Sequence, residues 1–149
     1  MERLVAFTVY GKPEGARRHR TARTKAGHVR TYHGGDHVSA EDRLVSAAMV
    51  AWKGQPKVEG PVEVQIHCWF YRPKALLRKM DRGTGTKPYT GKPDADNVAK
   101  LVMDALTKAG VWRDDTQVSD LVVRRAYLPL DLEGREEGLA CTQVWVHAM

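Results

Sequence analysis

From Pro61 to Tyr71 apolar and polar residues alternate without a break. Val62, Val64, Ile66, Cys68 and Phe70 fall on one side, and Glu63, Gln65, His67 and Trp69 on the other. Successive side chains of a strand point to opposite faces, so the pattern predicts a strand with one buried face. Two helical stripes offer partners for that face. Ser39-Ala40-Glu41-Asp42 sets a capping hydroxyl before acids that complement a helix dipole. Leu44, Val45, Ala48, Met49 and Trp52 follow at three- and four-residue spacing, and Gly54 and Pro56 end the helix. The second stripe is Val98, Leu101, Val102, Ala105 and Leu106, between Asp94, a good N-cap, and Gly110. Pro93 keeps Lys92 out of that helix.

Three further strands are expected. Leu4–Tyr10 is rich in β-branched and aromatic residues and stops at Gly11-Lys12-Pro13; Val118–Tyr127 and Cys141–His147 follow later, the last with Val144 and Val146 inward. Leu76, Leu77 and Met80 suit one short helical turn, and residues 83–91 a loop. The order β-α-β-α-β-β fits one α/β (α+β) domain over residues 1–149, a mixed sheet packed with two main helices. The length is usual for one domain, and 42% hydrophobic residues suffice for a core. No apolar run approaches the ~18 residues of a membrane span. The first seven residues lack a signal-peptide pattern, and Cys68 and Cys141 read as two free thiols in a reducing compartment. A cytoplasmic location is expected.

The formal net charge is +6 and the pI about 9.5, which favours a polyanionic partner, nucleic acid or an anionic membrane surface. Residues 12–30 bring Lys12, Arg17, Arg18, Arg20, Arg23, Lys25 and Arg30 against Glu14 alone. This is a basic loop or ribbon able to track phosphates, and arginine suits bidentate phosphate contact. Arg72 and Lys74 open a second basic run that continues through Arg78, Lys79, Arg82, Lys87 and Lys92. His19, His28, His33 and His37 lack a metal-ligand spacing and read as neutral or phosphate-contacting groups. Trp69, on the polar side of its strand, suits stacking on a base, contact with a second subunit, or cover for a secondary core.

Into this basic chain the stretch from Lys92 to Asp115 packs acids: Asp94, Asp96, Asp104, Asp114 and Asp115. Asp96, Lys100 and Asp104 are spaced by four on the helix side opposite the apolar stripe. Phosphodiester hydrolysis needs a nucleophilic water and relief of charge on the transition state. A hard divalent ion supplies both and prefers carboxylate oxygens. Should the strand after Asp115 run back beside the helix, Asp115 approaches Asp94 and Asp96. Spacing alone equally allows a capping aspartate, a surface Asp96–Lys100 pair worth about 0.3–0.5 kcal/mol, and a turn at Asp114-Asp115.

Residues 92–127 resemble the signature of the RusA family of Holliday junction resolvases. The resemblance is carried by Lys-Pro-Asp94-Ala-Asp96-Asn97, Lys100, the run from Asp104 to Gly110, and Val-Trp112-Arg-Asp114-Asp115-Thr-Gln117-Val. His37-Val38-Ser39-Ala40-Glu41 is also similar. The resemblance implies a homodimeric endonuclease that uses Mg²⁺, with Mn²⁺ able to substitute, and nicks a four-way DNA junction on two opposed strands. It implies metal ligation by Asp94, Asp96 and Asp115, catalysis by these with Lys100, support from Asn97, and no metal role for Asp104 or Asp114. DNA contacts fall to Arg17, Arg18, Arg20, Arg23, Lys25, Arg30, Arg72 and Lys74. A nuclease for other branched DNA, or a non-catalytic DNA-binding protein, are the alternatives. The chain departs from the family pattern in two extended segments, 78–91 and the locally acidic 128–138.

Overall fold

The structure, a computed structural model, describes residues 1–16, 19–23, 29–33 and 39–149, with backbone alone for 19–23 and 29–33. In chain order it has β1 (Arg3–Tyr10), β2 (His19–Arg23), β3 (Val29–His33), α1 (Ala40–Trp52), β4 (Val62–Phe70), β5 (Lys87–Pro88), α2 (Ala95–Lys108), β6 (Val118–Tyr127) and β7 (Cys141–Ala148). Strands β2 and β3 pair antiparallel as a separate ribbon. The others form one mixed sheet in the order β1-β7-β4-β6-β5. Among the described strands of this sheet, β4 and β6 pair in parallel and the other pairs are antiparallel. A parallel pair cannot be closed by a tight hairpin, and α2 supplies the crossover.

The alternating strand is the centre of this sheet. Val62, Val64, Ile66, Cys68 and Phe70 of β4 are buried, with Val144 and Val146 of β7 beside them. Leu44, Ala48 and Trp52 of α1, and Val98, Leu101, Val102, Ala105 and Leu106 of α2, complete the same core. The opposite sheet face carries polar and aromatic groups that pair among themselves. Trp69 Nε1 donates to Gln143 Oε1 at 2.8 Å, and the ring of His67 meets that of Trp145 edge-on at 4.9 Å. Burial, followed by the nearby Arg124 charge, pushes the His67 pKa down. Both cysteines are free and buried, and burial pushes the Cys68 thiol up to about 11, which makes it inert at neutral pH.

Helix α1 starts as expected. Ser39 accepts from Asp42 N–H at 3.1 Å while Asp42 accepts from Ser39 N–H, a reciprocal capping box. Its end differs: the left-handed C-cap is Lys53, ahead of Gly54. The single helical turn expected around Leu76–Met80 is two 3-10 turns, Lys74–Leu76 and Lys79–Asp81.

The two extended segments are packed on each other. Gly83 N–H donates to Asp131 O and Leu130 N–H to Thr84 O, and Leu130 is fully buried. The acidic loop is internally paired through Arg135 with Asp131 and Glu133. Arg72, expected among the DNA contacts, pins the assembly. It is only 6% exposed, and its guanidinium donates to the carbonyls of Leu128 and Gly85, both at 2.8 Å, and to that of Leu76. A cation so enclosed by carbonyl oxygens is committed to the fold. Lys74, two residues on, is exposed.

Candidate active site

Helix α2 sets the geometry. Its apolar stripe is buried, so Asp96 and Lys100 emerge exposed from the other side, one turn apart, with Asp104 a turn further and partly buried. Asp94 holds the N-cap position, but its side chain makes no capping bond. Instead its carboxylate pairs with Lys92 Nζ at 2.9 Å.

The loop that delivers Asp94 is held by residues the sequence did not single out. Arg125 of β6 donates from Nη1 to Gly91 O at 2.7 Å and to Pro93 O at 3.1 Å. Its guanidinium lies 5.7 Å from the centre of the Tyr89 ring. That ring is stacked on Phe70 at 3.6 Å, and its hydroxyl donates to Lys92 O. The Lys92–Pro93 peptide is cis. On the other side, Ala16 N–H donates to Asn97 O at 2.9 Å and Gly15 lies against Pro93 and Asn97.

Asp115 begins a 3-10 turn, Asp115–Gln117, capped by Asp114, whose side chain accepts from Thr116 N–H at 3.0 Å. Gln117 ties this turn down. Its amide donates to Val58 O and Gly60 O, and its Oε1 accepts from Arg113 N–H and Asp114 N–H. The chain does return to α2 here, but at its far end. A hydrogen bond with the Asp114 carboxyl, desolvation, and the charges of Asp114 and Asp104 raise the pKa of Asp115. Asp114 is held low by the Thr116 N–H and by the same bond with Asp115. Asp115 is expected from the sequence to join Asp94 and Asp96; the charge that acts on it from α2 is that of Asp104, eight residues, about 12 Å of helix, beyond Asp96.

Among the described residues no three His, Cys, Asp or Glu side chains stand close enough to share one metal ion. The donors are hard carboxylate oxygens all the same. Magnesium commonly takes one or two carboxylates and completes its shell with water and substrate phosphate. The set thus fits an open site finished by the substrate, not a closed three-carboxylate cage.

Of the expected DNA contacts, Arg17, Arg18 and Lys25 lie outside the described residues. Arg20, Arg23 and Arg30 fall in β2 and β3, whose side chains also lie outside them. His28 and His37 fall outside as well, and of His19 and His33 only the backbone is described.

Residues 10–131 match the family model of Endodeoxyribonuclease RusA. The chain belongs to the RusA family. The match spans the whole of α2, the Asp115 turn and the extended segment 78–91, and ends within 128–138; the family's activity makes this chain an endonuclease. Among its relatives, the uncharacterized protein YqaN of Bacillus subtilis (strain 168) is 32% identical over 130 residues, covering 83% of this chain and 87% of its own. The crossover junction endodeoxyribonuclease RusA of Escherichia coli (strain K12) is 32% identical over 112 residues, covering 70% of this chain and 74% of its own. No helix among the described residues is long and apolar enough to cross a membrane.

Proposed function

We propose that the protein is a Mg²⁺-dependent, structure-selective endodeoxyribonuclease that resolves Holliday junctions by paired symmetric nicks, in DNA recombination and repair in the cytoplasm. The observation that carries this reading is the row Asp94, Asp96, Lys100 at the start of α2, inside the RusA-family segment, in a chain of net charge +6. Asp94 and Asp96 would hold the ion; Asp115, expected as a third ligand, is not grouped with them among the described residues. A bound Mg²⁺ supplies Lewis-acid relief of phosphate charge and an acidified water. Lys100, exposed one turn beyond Asp96, offers its ammonium to the scissile phosphate or to the attacking water. The basic segment from Lys12 to Arg30 and exposed Lys74 bring cations to a phosphate backbone that the aspartates alone repel. Mn²⁺ is expected to substitute. A homodimer is proposed because two opposed nicks require two sites related by a two-fold axis.

The test sets a synthetic four-way junction beside a linear duplex of the same sequence. Wild type with Mg²⁺ should introduce paired nicks in the junction alone, and EDTA should abolish nicking while leaving the junction bound. Equal cutting of the linear duplex, or full activity in Asp96→Asn, would sink the assignment. Light scattering should give twice the mass of one chain; a monomer that still makes paired nicks would remove the dimer from the reading.

A further inference from the structure

The approach to the basic segment is fastened to both helices. Pro13 is fully buried, Glu14 pairs with Arg43 of α1 at 2.6 Å, and Ala16 N–H donates to Asn97 O of α2 at 2.9 Å. The contact at residue 15 is closer still. A Cβ placed on Gly15 would stand 2.9 Å from the Cβ atoms of both Asn97 and Pro93, and 3.3 Å from the Asn97 backbone carbon. Those are a helix residue's first carbon, a proline ring and backbone, none of which can swing aside as a long side-chain tip could. Gly15 is not in the left-handed region, so the glycine is required by space, not by backbone angle. The two strands of chain meet backbone to helix.

The position of this contact matters. Pro93 and Asn97 bracket Asp94 and Asp96 in sequence, and the same residues, with Gly15, Ala16 and Lys92, line an open cleft of about 410 Å³. The residues that follow Ala16 in sequence are Arg17 and Arg18, the first of the arginine run. We propose that Gly15 and Ala16 form a backbone latch that fixes the start of α2 against the chain after β1, so that the turn carrying Asp94 and Asp96 keeps its place toward bound DNA. Both act as positioning residues, through the Asp94–Lys100 turn. This rests on the nuclease reading above. It adds that grip and cleavage are separable, because misplacing a bound substrate by about 1 Å can cost about 10²-fold in rate without costing affinity.

Two variants break the latch differently. Gly15→Ala inserts the forbidden Cβ. Ala16→Pro removes the N–H that reaches Asn97 O and sets the ring Cδ against that oxygen, without adding a Cβ at residue 15. Glu14→Gln is the control, since it weakens the exposed pair to α1 and leaves the latch intact. The full-length proteins are compared for junction affinity in EDTA, single-turnover nicking at saturating protein in Mg²⁺, nick position, and thermal midpoint. In both latch variants the single-turnover rate should fall at least about tenfold. Affinity should stay within about threefold, nick positions should spread along the arm, and Glu14→Gln should match wild type. Wild-type rates in both variants overturn the latch. So does a loss of affinity that accounts for the whole loss of rate, or loss of fold in both, since the contact would then serve grip or stability alone. Should only Gly15→Ala lose its fold, Ala16→Pro decides. Wild-type nicking of the junction tests the nuclease reading separately, so the two can fail independently.

Discussion

The two ends of α2 carry the same residue type in different company. At the N-terminal end Asp94 and Asp96 are separate carboxylates, one paired with Lys92, the other exposed, with Lys100 a turn away. They stand where a loop is clamped by Arg125 on one side and by Gly15 on the other. At the C-terminal end the neighbouring Asp114 carboxyl, desolvation and the charges of Asp114 and Asp104 raise the pKa of Asp115. A like charge close by disfavours the ionised form. The first end thus offers two acidic side chains to an incoming cation and the Lys100 ammonium to a phosphate. At the second, Asp115 is harder to ionise than an ordinary aspartate. A row that reads in sequence as one acidic face is two sites of unlike readiness joined by a helix.

Exchanging one carboxylate at each end is the most direct way to break this contrast. Asp96→Asn should lower junction nicking by at least about 10²-fold, the scale on which loss of a charge-stabilising group registers. Asp104→Asn, which leaves both N-terminal acids in place, should cost far less, under about tenfold. Both variants should bind the junction in EDTA like wild type. Equal losses at the two positions would show that the ends act as one closed site.

The supports of each end can be removed separately, with a smaller effect. Arg125→Ala frees the carbonyls of Gly91 and Pro93, and Gln117→Ala frees four partners around the Asp115 turn. Groups that orient ligands typically contribute about 10–100-fold. Each variant should therefore slow nicking within that range. Arg125→Lys, which keeps the charge without the planar fork, should rescue Arg125→Ala only partly. Combined with Asp96→Asn, Arg125→Ala should add little further loss, while multiplicative losses would place Arg125 on the phosphate instead of behind Asp94.

Much of the scaffold was legible because its signals are local. The alternation in β4, the Ser39 cap and the α2 stripe each fix an element from a few neighbouring residues. What was not legible depends on partners far apart in sequence. Arg72 and Lys74 look alike as letters, yet Arg72 sits where three carbonyls from distant loops converge, and Lys74 faces solvent. Arg72→Ala should accordingly destabilise the fold by about 2–4 kcal/mol in urea melts, because buried acceptors lose a charged donor. Lys74→Ala should stay within about 0.5 kcal/mol. The parallel pairing of β4 with β6 decides where Asp115 returns to α2, and no local pattern encodes a register. Hence the acids of α2 could be picked out by their spacing of four, while the influence of the Asp104 charge on Asp115 could not.

The smallest expected effect probes the raised pKa of Asp115. Asp115 is raised chiefly by its bond with Asp114, so Asp114→Asn should bring it back toward the ordinary carboxylate range. For stability the sign is set by which state holds the proton. Between the ordinary carboxylate value and the raised value, folded Asp115 keeps a proton that the unfolded chain has released. Its contribution is therefore present below the ordinary value and lost as pH rises through the folded one. Asp114, held low, contributes in the opposite sense, present above the ordinary value and lost as pH falls through its folded one. Both groups are exposed, so the net effect on melting should be slight, and nicking is the sharper readout. If Asp115 must be charged to act, the acid limb of the single-turnover rate should move to lower pH in Asp114→Asn, and Mg²⁺ at higher concentration should move wild type the same way by competing with the proton. An acid limb that stays in place under both changes would show that the C-terminal end of α2 titrates apart from the reaction, leaving the chemistry to the end that Gly15 and Arg125 hold.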